Sequence, residues 1–118
     1  MRKLLMPIQG DFIAPRFDLA TEILIFRIDN DNEIGEPRTI IMERPSEDGL
    51  CQMVVEENIT DVVCGGIEEV HYNFLVWKKT KVLDGVIGDW RTVLEKMQSG
   101  ELCQGDIFFN QDEGHLTL

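Results

Sequence analysis

Residues 58–75 read NITDVVCGGIEEVHYNFL and join a short apolar run to an amphipathic pattern through two glycines. The apolar run, residues 61–64, is rich in β-branched side chains and is typical of a strand buried on both faces. Gly65 and Gly66 interrupt it, and apolar residues at helical spacing begin directly after them. In open α/β sheets ligands bind at this end of a strand, because N–H groups at the helix start favour anions.

The helix predicted after the glycines carries an apolar stripe with a repeat of three and four residues. The stripe consists of Ile67, Val70, His71, Phe74, Leu75 and Lys78.

Further segments complete an α/β pattern: three apolar runs with short connections predict antiparallel strands, and right-handed crossovers make the last two strands parallel. The predicted strands are residues 3–8, 22–28, 38–43, 61–64 and 81–86, and the helices begin after Ser46, Gly66 and Asp89.

Length and charge restrict the function classes. A chain of 118 residues predicts one domain, residues 1–118, with residues 103–118 as a C-terminal tail. Its 22 acidic and 11 basic residues give a net charge of −11, which argues against binding to nucleic acid or to anionic membranes. Three cysteines without a C-x-x-C pair favour reduced thiols and a cytoplasmic location.

Three segments resemble the dinitrogenase iron–molybdenum cofactor-binding family, the accessory and carrier domains of nitrogenase. They are IAPRFDLATEILIFRID at residues 13–29, DVVCGGIEE at residues 61–69 and KVLDGVIGDWRTVLEKMQSGEL at residues 81–102. The resemblance covers residues 3–102. It implies a ribonuclease H-like, three-layer α/β/α fold with a mixed five-stranded sheet and helices on both faces. It also implies a role in holding or transferring an anionic metal–sulfur cluster, of the iron–molybdenum type or another type, between donor and acceptor proteins.

The chain departs from the family pattern in its first loop. Arg16 stands before Phe17 where the family commonly has a histidine, and Asp18 stands where it has a glycine. A guanidinium cannot ligate a metal, but it can hold an anionic cluster through charge-assisted hydrogen bonds. The loop also carries several apolar residues, which indicates that it packs against another part of the protein.

Cys64 and His71 are the side chains considered as metal ligands. Cys64 is predicted at the mouth of the cleft, where a thiolate would suit iron, copper or a mixed cluster. The alternative is a buried structural cysteine, since free cysteine is among the most buried residue types. His71 is interpreted first as a hydrogen-bonded core histidine and only second as a ligand, because no other ligand lies at a suitable spacing.

Gly65, Gly66, Gly85 and Gly88 follow two neighbouring strands and are predicted to turn backbone N–H groups toward a common anion. Simple turn geometry, which glycine supplies in any case, is the alternative. With Arg16 and Phe17 they form the predicted cofactor site. The tail residues Ile107, Phe108 and Phe109 are compatible with an edge strand or with a contact to a partner. The sequence is compatible with a monomer or with a weak homodimer.

Two functions remain open from the sequence. The first is a non-enzymatic carrier of a metal–sulfur cluster, and the second is an interaction or regulatory module of the same fold without metal. No local signature of a hydrolase, kinase or dehydrogenase occurs in the chain. A nuclease function would rest on the fold alone, which does not determine function.

Overall fold

The computed structural model describes residues 2–108, which form one mixed sheet with helices on both of its faces. The strands follow the order β4-β3-β1-β5-β6 across the sheet, and β2 pairs with β1 outside this path. The strands are β1 (Arg2–Gln9), β2 (Phe12–Ile13), β3 (Glu22–Ile28), β4 (Arg38–Ile41), β5 (Asp61–Val63) and β6 (Lys81–Leu83).

Strand β1 lies at the centre because it is apolar on both faces. Residues Leu4, Leu5 and Met6 are completely buried. One edge of β1 pairs antiparallel with β3, and the other pairs parallel with β5, where Leu4 lies opposite Asp61. Strands β5 and β6 are parallel and in register, so their carboxyl ends meet at the same edge of the sheet.

Two of the three helices begin directly after the predicted caps Ser46 and Asp89, whereas the helix predicted to begin after Gly66 begins at Glu69, and its N-cap Glu68 makes no capping hydrogen bond. Ser46 accepts a hydrogen bond from the Gly49 N–H at 2.9 Å, and Asp89 accepts one from the Arg91 N–H at 2.8 Å, so each satisfies a free donor in a first helical turn. The helices are α1 (Glu47–Glu56), α2 (Glu69–Trp77) and α3 (Trp90–Gln98), and a short 3₁₀ helix covers Phe17–Leu19.

Apolar residues alternate along the strands and form a core on each face of the sheet. Leu5 and Val62 point to the face covered by α1 and α2, where they pack with Leu75. Leu4 and Val63 point to the opposite face, covered by α3. This period of two is what a strand buried on both faces requires.

The predicted fold class is confirmed: the chain is a mixed α/β structure consistent with three layers, and its last two strands are parallel. The sheet has six strands instead of five, because the first loop contributes the two-residue strand β2. The predicted stripe of α2 is wrong in part. Val70 is 65% exposed, and Leu75 is the buried residue of the helix.

Among residues 2–108, no helix has both the length and the apolar character needed to cross a membrane. Ile107 pairs in parallel with Ile87, which agrees with the edge-strand alternative for this part of the tail. Phe109, the third residue of that apolar group, and the rest of the tail lie outside the described residues.

Candidate functional site

A cleft lies at the carboxyl ends of β5 and β6, where the sequence predicts the site. Both glycine pairs line it, together with part of the first loop, and its volume is 420 Å³. The parallel register of the two strands brings the turns together, since each turn begins directly beyond the paired residues Val63 and Leu83. The lining residues are Gln9, Phe12, Ile13, Pro15, Gly65, Gly66, Gly85, Val86, Ile87 and Gly88.

The first glycine turn is fastened to the first loop by backbone hydrogen bonds. The Gly66 N–H donates to the Pro15 carbonyl at 2.8 Å, and the Phe17 N–H donates to the Gly66 carbonyl at 2.7 Å. A Cβ atom on Gly65 would lie 2.3 Å from the Ala14 carbonyl oxygen. This close approach of two backbones requires glycine at position 65.

The second glycine turn, which contains Gly85 and Gly88, is hydrogen-bonded to the first. Gly85 has a φ of 70° and Gly88 a φ of 149°, both in the region that favours glycine. The Gly85 N–H donates to the Gly65 carbonyl at 2.9 Å, and the Val86 N–H donates to the Cys64 carbonyl at 3.0 Å. Backbone hydrogen bonds therefore join the two turns into one side of the cleft.

These hydrogen bonds correct the expectation that all four glycines offer free N–H groups. Gly66 and Gly85 already donate to carbonyl groups within the protein. Within residues 2–108, the N–H groups of Gly65 and Gly88 have no hydrogen-bond acceptor. The structure therefore reduces the predicted set of backbone donors to Gly65 and Gly88.

Apart from Gln9, the side chains of the lining are apolar. Phe12 and Ile87 are about half exposed at the rim, and Ile13 and Val86 are buried below them. No charged side chain belongs to the lining in the described part of the chain. An unpaired N–H in such surroundings binds an acceptor more strongly than it would in water, because the local dielectric is lower.

Cys64 does not lie at the mouth of the cleft, which corrects the sequence prediction. It is completely buried and packs in the core on the side of α1 and α2. Burial, with a smaller contribution from the Asp84 carboxylate, raises the pKa of the Cys64 thiol from 9.0 to about 12. Its burial and its absence from the described cleft lining agree with the alternative of a structural cysteine.

The three thiols are expected to differ in reactivity. At pH 8 the exposed Cys103 should react with iodoacetamide at least about a hundredfold faster than Cys51 and Cys64, since the latter two are buried. Burial also raises the pKa of Cys51, to about 11, and so reduces its thiolate fraction further. Mass spectrometry of the native protein after timed labelling measures the three rates. Rapid labelling of Cys64 would contradict its placement in the core.

Arg16 and Phe17 lie beside the cleft but not in its lining. The Arg16 guanidinium forms two hydrogen bonds with the Asp18 carboxylate, and this pairing raises the pKa of Arg16. Phe17 is 1% exposed and fills the core under α1. The loop therefore contributes packing and backbone contacts to the site, and its one cation is paired within the loop.

His71 lies in a different region, between α1 and α2. Its Nε2 atom is 2.8 Å from a Glu47 carboxylate oxygen, and its Nδ1 atom is 3.8 Å from the Cys51 sulfur. This arrangement agrees with the preferred interpretation of a partnered histidine. The structure does not bring His71 together with Cys64 or the glycine turns.

Two groups of residues in the structure were not predicted from the sequence. The apolar residues Ile13, Pro15 and Ile87 line the cleft, and the apolar content of the first loop was the signal that could have indicated them. An acidic group formed by Asp18, Glu47 and Glu68 has oxygen atoms within 4.8 Å of one another. It had no signal in the sequence, because its members come from three separate segments.

No protein-family model matches this chain, and neither does any curated protein. Solved structures do share its fold. A candidate dinitrogenase from Methanocaldococcus jannaschii is 27% identical, with a TM-score of 0.70 over 86% of this chain and 92% of its own. The chain has the fold of nitrogenase-related proteins.

Two further solved structures support the same fold at lower identity. A candidate NifB protein of the DUF35 family from Thermotoga is 13% identical, with a TM-score of 0.68 over 94% of this chain and 99% of its own. The apo form of the orange protein from Desulfovibrio gigas is 13% identical, with a TM-score of 0.69 over 88% of this chain and 92% of its own. At this identity the likeness concerns the fold alone.

Proposed function

We propose that this protein is a non-enzymatic carrier that binds an anionic metal–sulfur cluster in the cleft between the two glycine turns. The observation that carries the proposal is that Gly65 and Gly88 line one largely apolar cleft and that their N–H groups have no acceptor within residues 2–108. The fold shared with the candidate dinitrogenase from Methanocaldococcus jannaschii supports a nitrogenase-related cargo.

The cleft suits a polarisable anion better than a compact, strongly hydrated one. Most of its wall consists of the side chains of Phe12, Ile13, Val86 and Ile87, and a hydrated anion would find there only the Gln9 side chain to replace its hydration shell. Sulfide ligands of a cluster accept hydrogen bonds from backbone N–H groups and tolerate apolar contact. The net charge of −11 is compatible with an anion here, because no carboxylate of the described residues 2–108 belongs to the lining and distant charges are screened.

The proposed site holds its cargo through the backbone, without a thiolate ligand. Cys64 was one candidate metal ligand, but it is buried in the core, so it is not part of the proposed ligand set. A site without covalent metal–protein bonds would release a cluster readily to an acceptor. The proposal therefore includes donor and acceptor proteins, with this chain as the intermediate.

Anaerobic reconstitution with iron, sulfide and thiomolybdate, with and without copper, tests the proposal. After desalting, a visible absorption band and stoichiometric metal are expected for the wild-type chain. Gly66→Leu should reduce the retained chromophore at least about fivefold by adding bulk to the cleft wall, where a Cβ meets only the Pro15 carbonyl at 3.4 Å. Gly35→Leu is the matched control, because Gly35 has only one neighbour at 3.7 Å and lies outside the cleft.

A second candidate function is an interaction or regulatory module of the same fold. The absence of a thiol from the cleft lining favours it, because soft metals prefer sulfur ligands. A chain that retains neither colour nor metal under any of the reconstitution conditions would support this second function and would contradict the first.

A further inference from the structure

A second apolar groove lies between α1 and α2, on the helical face and away from the glycine turns. Its volume is 490 Å³. Its apolar centre includes Val55, which is 42% exposed, and Val70, which is 65% exposed, with Phe74 between the helices. Trp77 at the end of α2 is 73% exposed. So much exposed apolar surface in one place is typical of a protein interface.

The two ends of the groove carry opposite charges. Helices α1 and α2 run in the same direction, since Glu47 contacts His71 near their starts and Val55 lies near Lys78 at their ends. Asp48 lines the groove at the first end and Lys78 at the second. Seven residues of helix separate Asp48 from Val55, which places the two ends about 10 Å apart.

These two charges are available for a partner. Within residues 2–108, neither Asp48 nor Lys78 has a salt-bridge partner. The Lys78 ammonium lies 4.8 Å from the centre of the Trp77 ring, at the edge of the apolar surface. In the described part of the chain, the groove therefore has an apolar centre with an anion at one end and a cation at the other, and neither forms an ion pair.

We infer that this groove binds a second copy of the same chain in a two-fold symmetric dimer. A two-fold axis through the centre of the groove exchanges its ends, so Lys78 of each copy lies opposite Asp48 of the other. The same operation places the exposed valines of both copies against each other and removes them from water. The groove is therefore complementary to a second copy of itself, both in its apolar centre and in its charges.

Charge reversal and mixing test the dimer. Sedimentation equilibrium of the wild-type chain is expected to detect a dimer once the protein concentration is raised to about 500 µM. Such weak association is typical of small, transient interfaces. Lys78→Asp and Asp48→Lys should each weaken self-association at least about tenfold, because each places two like charges together twice per dimer. An equimolar mixture of the two variants should recover association, since every pair in the mixed dimer is again opposite in sign.

Val70→Glu tests the apolar centre and should abolish the dimer. Its matched control is Ile41→Glu, because Ile41 is also 65% exposed but lies on the edge strand β4. Circular dichroism of each variant confirms that it is folded. A wild-type chain that stays monomeric would overturn the inference, and the occupant of the groove would then be residues 109–118 or another protein. A dimer that Val70→Glu leaves intact, or two reversed variants that fail to associate when mixed, would also overturn it.

Discussion

Gly65→Ala is expected to lower the free energy of unfolding by about 3 kcal/mol, the upper part of the range for an overpacked site. The added Cβ would lie 2.3 Å from the Ala14 carbonyl oxygen and 2.6 Å from the Pro15 carbonyl oxygen. Neither oxygen can move alone, because both belong to backbone that the Gly66 and Phe17 hydrogen bonds hold in place. The first loop would have to separate from the β5 turn. Urea denaturation measured by circular dichroism gives the change.

Gly66→Ala is the matched control for this substitution. A Cβ on Gly66 would meet one atom, the Pro15 carbonyl oxygen, at 3.4 Å, which is ordinary contact. Its expected cost is below about 1 kcal/mol, and the removal of glycine's flexibility in the unfolded chain offsets part of it. Equal effects of the two substitutions would show that the contact between the first loop and the turn is not as close as described.

Charge at position 87 should control the binding of an anion in the cleft. Ile87 is 55% exposed, and its main chain pairs with Asp106 and Phe108, so a new side chain leaves these hydrogen bonds intact. Ile87→Glu is expected to weaken thiomolybdate binding at least about tenfold, and Ile87→Lys to strengthen it about threefold. No other charged side chain belongs to the lining within residues 2–108, so the charge at position 87 is the one that changes across the variants. Isothermal titration calorimetry measures both affinities.

Ile87→Gln separates charge from shape in that series. It matches the glutamate in size and has no charge, so its affinity should lie between those of the two charged variants. Affinities that fall in the order lysine, glutamine, glutamate are expected only for an anion bound in this cleft. The differences between these affinities should become smaller as salt is added. Affinities that do not depend on the charge at position 87 would show that thiomolybdate binds elsewhere.

The fold was predictable because its signals are local. The apolar run at Glu22–Ile28 is strand β3 with the predicted limits, and the caps Ser46 and Asp89 set the helix starts. Two glycine turns after parallel strands predicted the position of the cleft, since the register of such strands fixes where they end. These features depend on neighbours in sequence, or on the general rule for parallel strands.

The chemistry of the site was less predictable because it depends on side-chain direction. Cys64 follows strand β5 directly, but sequence position alone does not say whether its sulfur points into the core or the cleft. The same limit applies to Val70, which has the spacing of a core residue and faces solvent. The partners of the Gly66 and Gly85 N–H groups lie on other segments, so their hydrogen bonds required the tertiary structure.

The titration of ¹⁵N-labelled protein with tetrathiomolybdate, followed by amide chemical shifts, tests the central claim most directly. The anion is diamagnetic, so the resonances near it remain visible. The proposed site predicts that the amides of Gly65 and Gly88 shift most and saturate together, with smaller shifts at Ile87 and Gly66. Shifts confined to α1 and α2, or no shifts at millimolar anion, would show that the cleft does not bind a metal–sulfur anion.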